Sequence, residues 1–137
     1  MSGKILDAKG WEVMAPYFTF DEFACPRSGR CEMNEQFMLA LWQLRSICDF
    51  PWVIVPGGGF RSPDHYDGNS AHRLGLAVDI PCYGHQAHFL LTMALRATVD
   101  GFTGIGVSQK GPAHRRFIHL DRAKHSEHQP RPWVWSY

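Results

Sequence analysis

The residues best placed to do chemistry are histidines and carboxylates set inside short apolar runs. Strand side chains alternate faces, so in Phe117-Ile118-His119-Leu120-Asp121 the aliphatic Ile118 and Leu120 share one face, and Phe117, His119 and Asp121 share the other. Leu76-Ala77-Val78-Asp79-Ile80 divides the same way, with Leu76, Val78 and Ile80 on one side and Ala77 and Asp79 on the other. Pairing the two strands lays five aliphatic side chains over the helices and collects His119, Asp121 and Asp79 on the opposite face. An imidazole and a carboxylate at mid-strand, between strong apolar neighbours, are more than a solvated face requires. His72 lies four residues before the first of these strands, in a loop of small residues that can fold over the polar face. His72, Asp79 and His119 then make a zinc set of the catalytic kind, with three protein ligands and a fourth position left to water.

At these residues the sequence resembles a known family. Ser70-Ala71-His72-Arg73-Leu74-Gly75-Leu76-Ala77-Val78-Asp79 resembles the S-x-H-x-x-G-x-A-x-D motif of the zinc D-alanyl-D-alanine carboxypeptidases. That family belongs to the LAS group of metallopeptidases, with the lysostaphin-type enzymes and the hedgehog signalling domain. Gly59-Phe60-Arg61-Ser62-Pro63 is similar to the family's G-[YF]-R-S segment, and Phe117-Ile118-His119-Leu120-Asp121 to its final ligand strand. Phe20-Asp21-Glu22-Phe23-Ala24-Cys25 and Trp135-Ser136-Tyr137 look like the shorter bacterial and phage members, so the likeness spans residues 18–137. It implies a hedgehog or D-Ala-D-Ala peptidase-like fold, zinc held by His72, Asp79 and His119, and a peptidoglycan stem peptide or crosslink as substrate. It also implies that Arg61 holds a substrate carboxylate or carbonyl, for which a guanidinium fork is suited, and that Ser70 assists as a hydrogen-bond donor.

One position departs from the family pattern. Well-known members carry Glu or Asp three residues before the last histidine, as the general base. Here Arg116 stands there, preceded by Arg115, and a guanidinium cannot take up a proton. Asp121, on the same strand face as His119, is the substitute: either the base, or a partner that orients the imidazole. His114 is third choice.

Other polar residues carry weaker readings. His65 and Asp67 are candidates for lining the cleft between Arg61 and Ser70. His125 and His128 read as a solvated loop in preference to a second metal site, and His85 and His88 as ordinary histidines of a helix start. Gly57-Gly58-Gly59 lacks the G-K-[ST] ending of a phosphate loop and reads as a turn. Trp133, Trp135 and Tyr137 alternate onto one face, where core packing is preferred to a cleft wall. Cys48 and Cys82 read as small core hydrophobes. Cys25 and Cys31 flank a turn and read as reduced structural thiols, with a disulfide or metal pair the other choice.

The elements that must position these groups are legible from local signals. Thr19-Phe20-Asp21-Glu22 matches a capping box and predicts a short helix ended by Pro26. Asn34 predicts the cap of a longer helix reaching Cys48, with Phe37, Leu41, Leu44 and Cys48 on one stripe. Strands are expected at Val53-Ile54-Val55 and at residues 76–80, 102–107, 117–121 and 133–137. A helix, apolar around most of its girth and so buried, is expected at residues 86–99. Helices first, then strands with one interposed helix, give an α+β fold: a small, mostly antiparallel sheet with helices on one face and the zinc site on the other.

Composition excludes several alternatives. The chain has 137 residues, one domain spanning 1–137, with 45% hydrophobic and 20% charged residues and a formal net charge of +1. Nothing in that balance suggests nucleic acid or a membrane surface as partner, and a monomer is expected. No apolar run approaches the ~20 residues of a membrane span, and no secretory signal is visible. A protein made in a bacterial cytoplasm that reaches the wall after release, through a partner pore or in a virion, would fit. The competing readings are an inactive zinc-containing module that binds peptidoglycan or builds a virion, and thiol chemistry at Cys25 and Cys31.

Overall fold

A computed structural model describes residues 3–96 and 101–137. Four helices, α1 (Ala8–Val13), α2 (Phe20–Phe23), α3 (Glu35–Ile47) and α4 (Gly84–Arg96), accompany four strands, β1 (Ala77–Pro81), β2 (Gly104–Ser108), β3 (Phe117–Asp121) and β4 (Trp133–Ser136). The sheet order is β1-β3-β2-β4, antiparallel except for the β2–β4 pair. The fold is thus α+β with a mostly antiparallel sheet. No helix among the described residues is long and apolar enough to cross a membrane.

The helix caps form as their residues dictate. The Thr19 hydroxyl accepts from the Glu22 N–H, and the Glu22 carboxylate accepts from the Thr19 N–H, closing the box on α2. Asn34 accepts from the Phe37 N–H at 2.9 Å and starts α3, whose stripe of Phe37, Leu41, Leu44 and Cys48 is buried. α1 was not expected: Asp7 caps it by accepting from the Gly10 N–H, and its one full-contact side chain is Trp11. Six residues are too few for a periodic pattern to show.

The sheet buries the face that alternation assigns to the core. Val78, Ile80, Ile118, Leu120 and Ile105 pack with Phe37, Met38, Leu41 and Leu90 in one apolar cluster. All four cysteines are buried free thiols.

Two elements differ from expectation. Residues 53–55 form no strand. Trp52 and Ile54 are buried and Val53 and Val55 exposed, a strand-like alternation, but Pro51 and Pro56 remove donors at both ends and the chain turns at once, with the Gly58 N–H donating to the Val55 carbonyl. α4 is not buried all round: it presents Ala87, Leu90 and Ala94 inward, while Leu95 is exposed and Phe89, Leu91 and Met93 are half-buried. Residues 97–99, where this helix is expected to continue, lie outside the described residues.

Candidate metal centre

β1 and β3 pair in a register that sets Asp79 directly opposite His119 and Ala77 opposite Asp121. His72 comes from a 3-10 turn, Ala71–Leu74, that precedes β1. Ser70 caps this turn, its hydroxyl accepting from the His72 N–H at 3.2 Å. Gly75 ends it at φ +69°, where a Cβ would run into the Glu32 carbonyl, so glycine is required twice over. The result is a group of His72, Asp79 and His119 whose ligand atoms lie within 4.8 Å of one another, with both imidazoles buried.

Hydrogen bonding prepares each ligand. His72 Nδ1 lies 2.8 Å from the Gly59 carbonyl, which can only accept, so Nδ1 carries a proton there and Nε2 is the nitrogen turned toward Asp79, 3.3 Å away. His119 Nδ1 lies 2.9 Å from Asp79 Oδ1, and its Nε2 lies 2.7 Å from Asp121 Oδ2. Asp121 is fully buried and spends its remaining capacity on the Ala123 N–H and on two bonds from Arg131, at 3.0 and 2.7 Å. Burial alone would raise the Asp79 carboxyl, but hydrogen bonds from His119 and His72 outweigh it and hold that group well below the usual carboxylate range. Burial likewise opposes charge on Asp121, yet His119 and Arg131 bring it down to about 2. Burial works against a charged His119 too, but Asp121 and Asp79 prevail and raise its pKa.

The group opens into a cleft of about 340 Å³. Arg61 and Ser70, expected at the site, both line it. Arg61 Nε donates to the Gly57 carbonyl at 2.8 Å and an Nη to Asp79 Oδ2 at 3.3 Å, so the guanidinium is braced against a ligand while its side chain stays 30% exposed. The opposite wall is aromatic. Trp135 stands 5.2 Å from the His119 ring, and Tyr137 lies 5.1 Å from Phe117, ring centre to ring centre. These residues were expected in the core; instead Trp133 and Tyr137 are about half exposed, because β4 is an edge strand with no layer over it.

Several candidates stay outside. His65 and Asp67 are exposed and do not line the cleft, since their loop turns outward. His114 is exposed on a second 3-10 turn, Ala113–Arg115, and the Arg116 Nε donates to the Gly111 carbonyl, away from the cleft. His125 accepts from the Arg131 N–H, His128, His85 and His88 are exposed, and among the described residues no second group of metal-ligating side chains forms.

Sequence reasoning missed three contributors. Arg131, between two prolines, carries no local sign of burial. Gly104 and Gly106 do carry one: alternate glycines on β2, opposite Asp121 and His119, leave that face of the strand without side chains. A Cβ on Gly104 would occupy the space of the Asp121 carboxylate and Arg131 Nε, and one on Gly106 would lie 2.7 Å from the Trp135 indole. The glycines are the floor on which the site is built.

Two imidazole nitrogens and a carboxylate oxygen suit a borderline cation such as zinc, and the open side toward the cleft suits a catalytic more than a structural site. No protein-family model matches the chain, and no curated protein matches it.

Proposed function

We propose that this chain is a zinc-dependent peptidase of peptidoglycan, hydrolysing an amide bond of the stem peptide or crosslink on a hedgehog or D-Ala-D-Ala peptidase-like fold. The observation that carries the reading is the convergence of His72, Asp79 and His119 at the floor of an open cleft that Arg61 and Ser70 also line. These five are the residues that the family resemblance of residues 59–63, 70–79 and 117–121 singles out. When bound, zinc supplies a Lewis acid for the scissile carbonyl and lowers the pKa of its water to ~7.

The chain's own residues divide the remaining work. Arg61, held by the Gly57 carbonyl and Asp79, offers the free part of its fork to a planar carboxylate or carbonyl of the peptide. Ser70 accepts from His72 and keeps its own hydroxyl proton for substrate. Trp135 and Tyr137 supply an apolar wall that excludes water from one side. Of the two roles considered for Asp121, the geometry favours orientation of His119, because both carboxylate oxygens are already engaged.

That same engagement favours a second reading, an inactive zinc-containing module that binds peptidoglycan or builds a virion. Asp79 and Asp121 are the only carboxylates lining the cleft among the described residues, and neither is free to act as base. Incubation of zinc-loaded protein with purified peptidoglycan, followed by mass spectrometry of the muropeptides, separates the two. New cleavage products that vanish with chelator support the peptidase; binding without products supports the module.

A further inference from the structure

We infer that Arg131 is a positioning residue of the metal centre, acting through Asp121 to fix the orientation and proton placement of His119. The inference rests on the metal-site reading above and adds a residue that the family resemblance does not name. Arg131 Nε and an Nη grip the two Asp121 oxygens as a fork, and Asp121 Oδ2 meets His119 Nε2 at 2.7 Å. A carboxylate so held can only accept, so His119 Nε2 must carry a proton and Nδ1 is the nitrogen presented beside Asp79. The chain runs from guanidinium to carboxylate to imidazole without a gap.

The surroundings favour this role over a general stabilising ion pair. A buried pair is weak evidence for stability, because desolvation offsets its attraction. This one lies on the site face of the sheet, its arginine side chain 7% exposed. Its space exists because Gly104 lacks a Cβ. The third guanidinium nitrogen donates to the Pro130 carbonyl at 2.8 Å, the main-chain N–H donates to His125, and the guanidinium lies 5.1 Å from the centre of the Trp135 ring. Every one of these contacts limits where the fork can point. Charge is matched as well: two carboxylates, Asp79 and Asp121, face two guanidiniums, Arg61 and Arg131. Without Arg131, two anions would compete for His119 and its orientation would no longer be dictated from one side.

The test uses the full chain, cobalt(II) as a spectroscopic probe, and nitrogen NMR of the imidazoles. Arg131→Gln and Asp121→Asn should each weaken cobalt affinity by ~10–100-fold, the usual cost of losing a partner behind a ligating histidine. The double variant should bind no more weakly than Asp121→Asn alone, since Arg131 acts only through Asp121. Arg131→Lys, which keeps charge but not the fork, should fall between wild type and Arg131→Gln. In metal-free protein, the wild-type His119 should show a protonated, hydrogen-bonded Nε2 that Arg131→Gln loses. A folded Arg131→Gln with wild-type cobalt affinity, or losses that add in the double variant, overturns the inference. Should wild type bind no metal, the metal reading fails by itself, and the imidazole spectra still decide whether Arg131 positions His119. If Arg131→Gln does not fold, the same spectra on Arg131→Lys carry the decision: an unaltered His119 signal would refute the role.

Discussion

Gly104→Ala isolates the steric side of the site, because the position needs no unusual backbone angle and the added methyl is the only change. The new Cβ would meet both Asp121 oxygens and Arg131 Nε. Overpacking in a tight interior costs ~1–3 kcal/mol, and forcing one partner of a buried pair away costs ~3–5 kcal/mol. The neighbours here are a carboxylate and a guanidinium pinned from several sides, with little freedom to give way. We therefore expect a loss of roughly 3 kcal/mol, near the junction of those ranges, which for a domain of this size is a fall in Tm of roughly 10 °C. Metal affinity should fall with it, by ~10–100-fold, because the displaced carboxylate is the one behind His119. Gly106→Ala is the comparison: its Cβ meets the Trp135 ring on an edge strand, so it should disturb the cleft wall and spare metal affinity. Urea unfolding and competition against a chromophoric chelator give both numbers. A Gly104→Ala protein with unchanged stability and affinity would show that the pair is not packed as described.

Three further outcomes are expected. Wild type should take up stoichiometric zinc and gain Tm with it, and His72→Ala should abolish both, as elemental analysis and melting curves would show, since a bound ion stabilises only the folded state. Arg61→Lys should retain zinc but lower turnover of a stem peptide, because one ammonium cannot serve the Gly57 carbonyl, Asp79 and substrate together; unchanged kinetics would reduce Arg61 to a brace. The metal-free protein should lose stability in acid: Asp121 drops from an ordinary 3.8 to about 2 on folding, so its contribution is complete above pH 3.8 and disappears as pH falls toward about 2. Urea midpoints that stay flat across that window would contradict the bonding drawn around Asp121.

What the sequence made legible was whatever depends on near neighbours. Thr19 and Glu22, Asn34 and Phe37, and the α3 stripe are spaced by the helix itself, and each forms as read. β3 begins and ends where alternation put it, and the His119–Asp79 meeting follows from pairing two strands by their faces. Patterns that depend on distant chain fared worse. Val53-Ile54-Val55 has the composition of a strand but makes no ladder, and composition alone does not supply a partner edge. The apolar girth of α4 suggested full burial, but only the stripe of Ala87, Leu90 and Ala94 meets the core. Arg131 becomes intelligible only when Asp121 is known to be buried with two oxygens to satisfy. The glycines of β2 show in the sequence as alternate positions without side chains, but the Asp121, Arg131 and Trp135 groups that fill that space come from other parts of the chain.

Because β4 runs parallel to β2, the two sides of the site are joined by connections of different kinds. β2 and β3 are antiparallel neighbours and close as a hairpin through residues 109–116, while β1 joins the far edge of β3. A parallel neighbour cannot be reached by turning back. The chain must first cross the end of the sheet, and residues 122–132 do so past the start of β2, tied down where the Trp133 N–H donates to the Thr103 carbonyl and the Thr103 hydroxyl to the Ala123 carbonyl. His72, Asp79 and His119 all precede this connection in the chain, whereas Arg131 lies within it and Trp135 and Tyr137 follow it. Loosening residues 122–132 would therefore release Arg131, Trp135 and Tyr137 together and open one side of the cleft, while the β1–β3 pairing still holds His119 against Asp79.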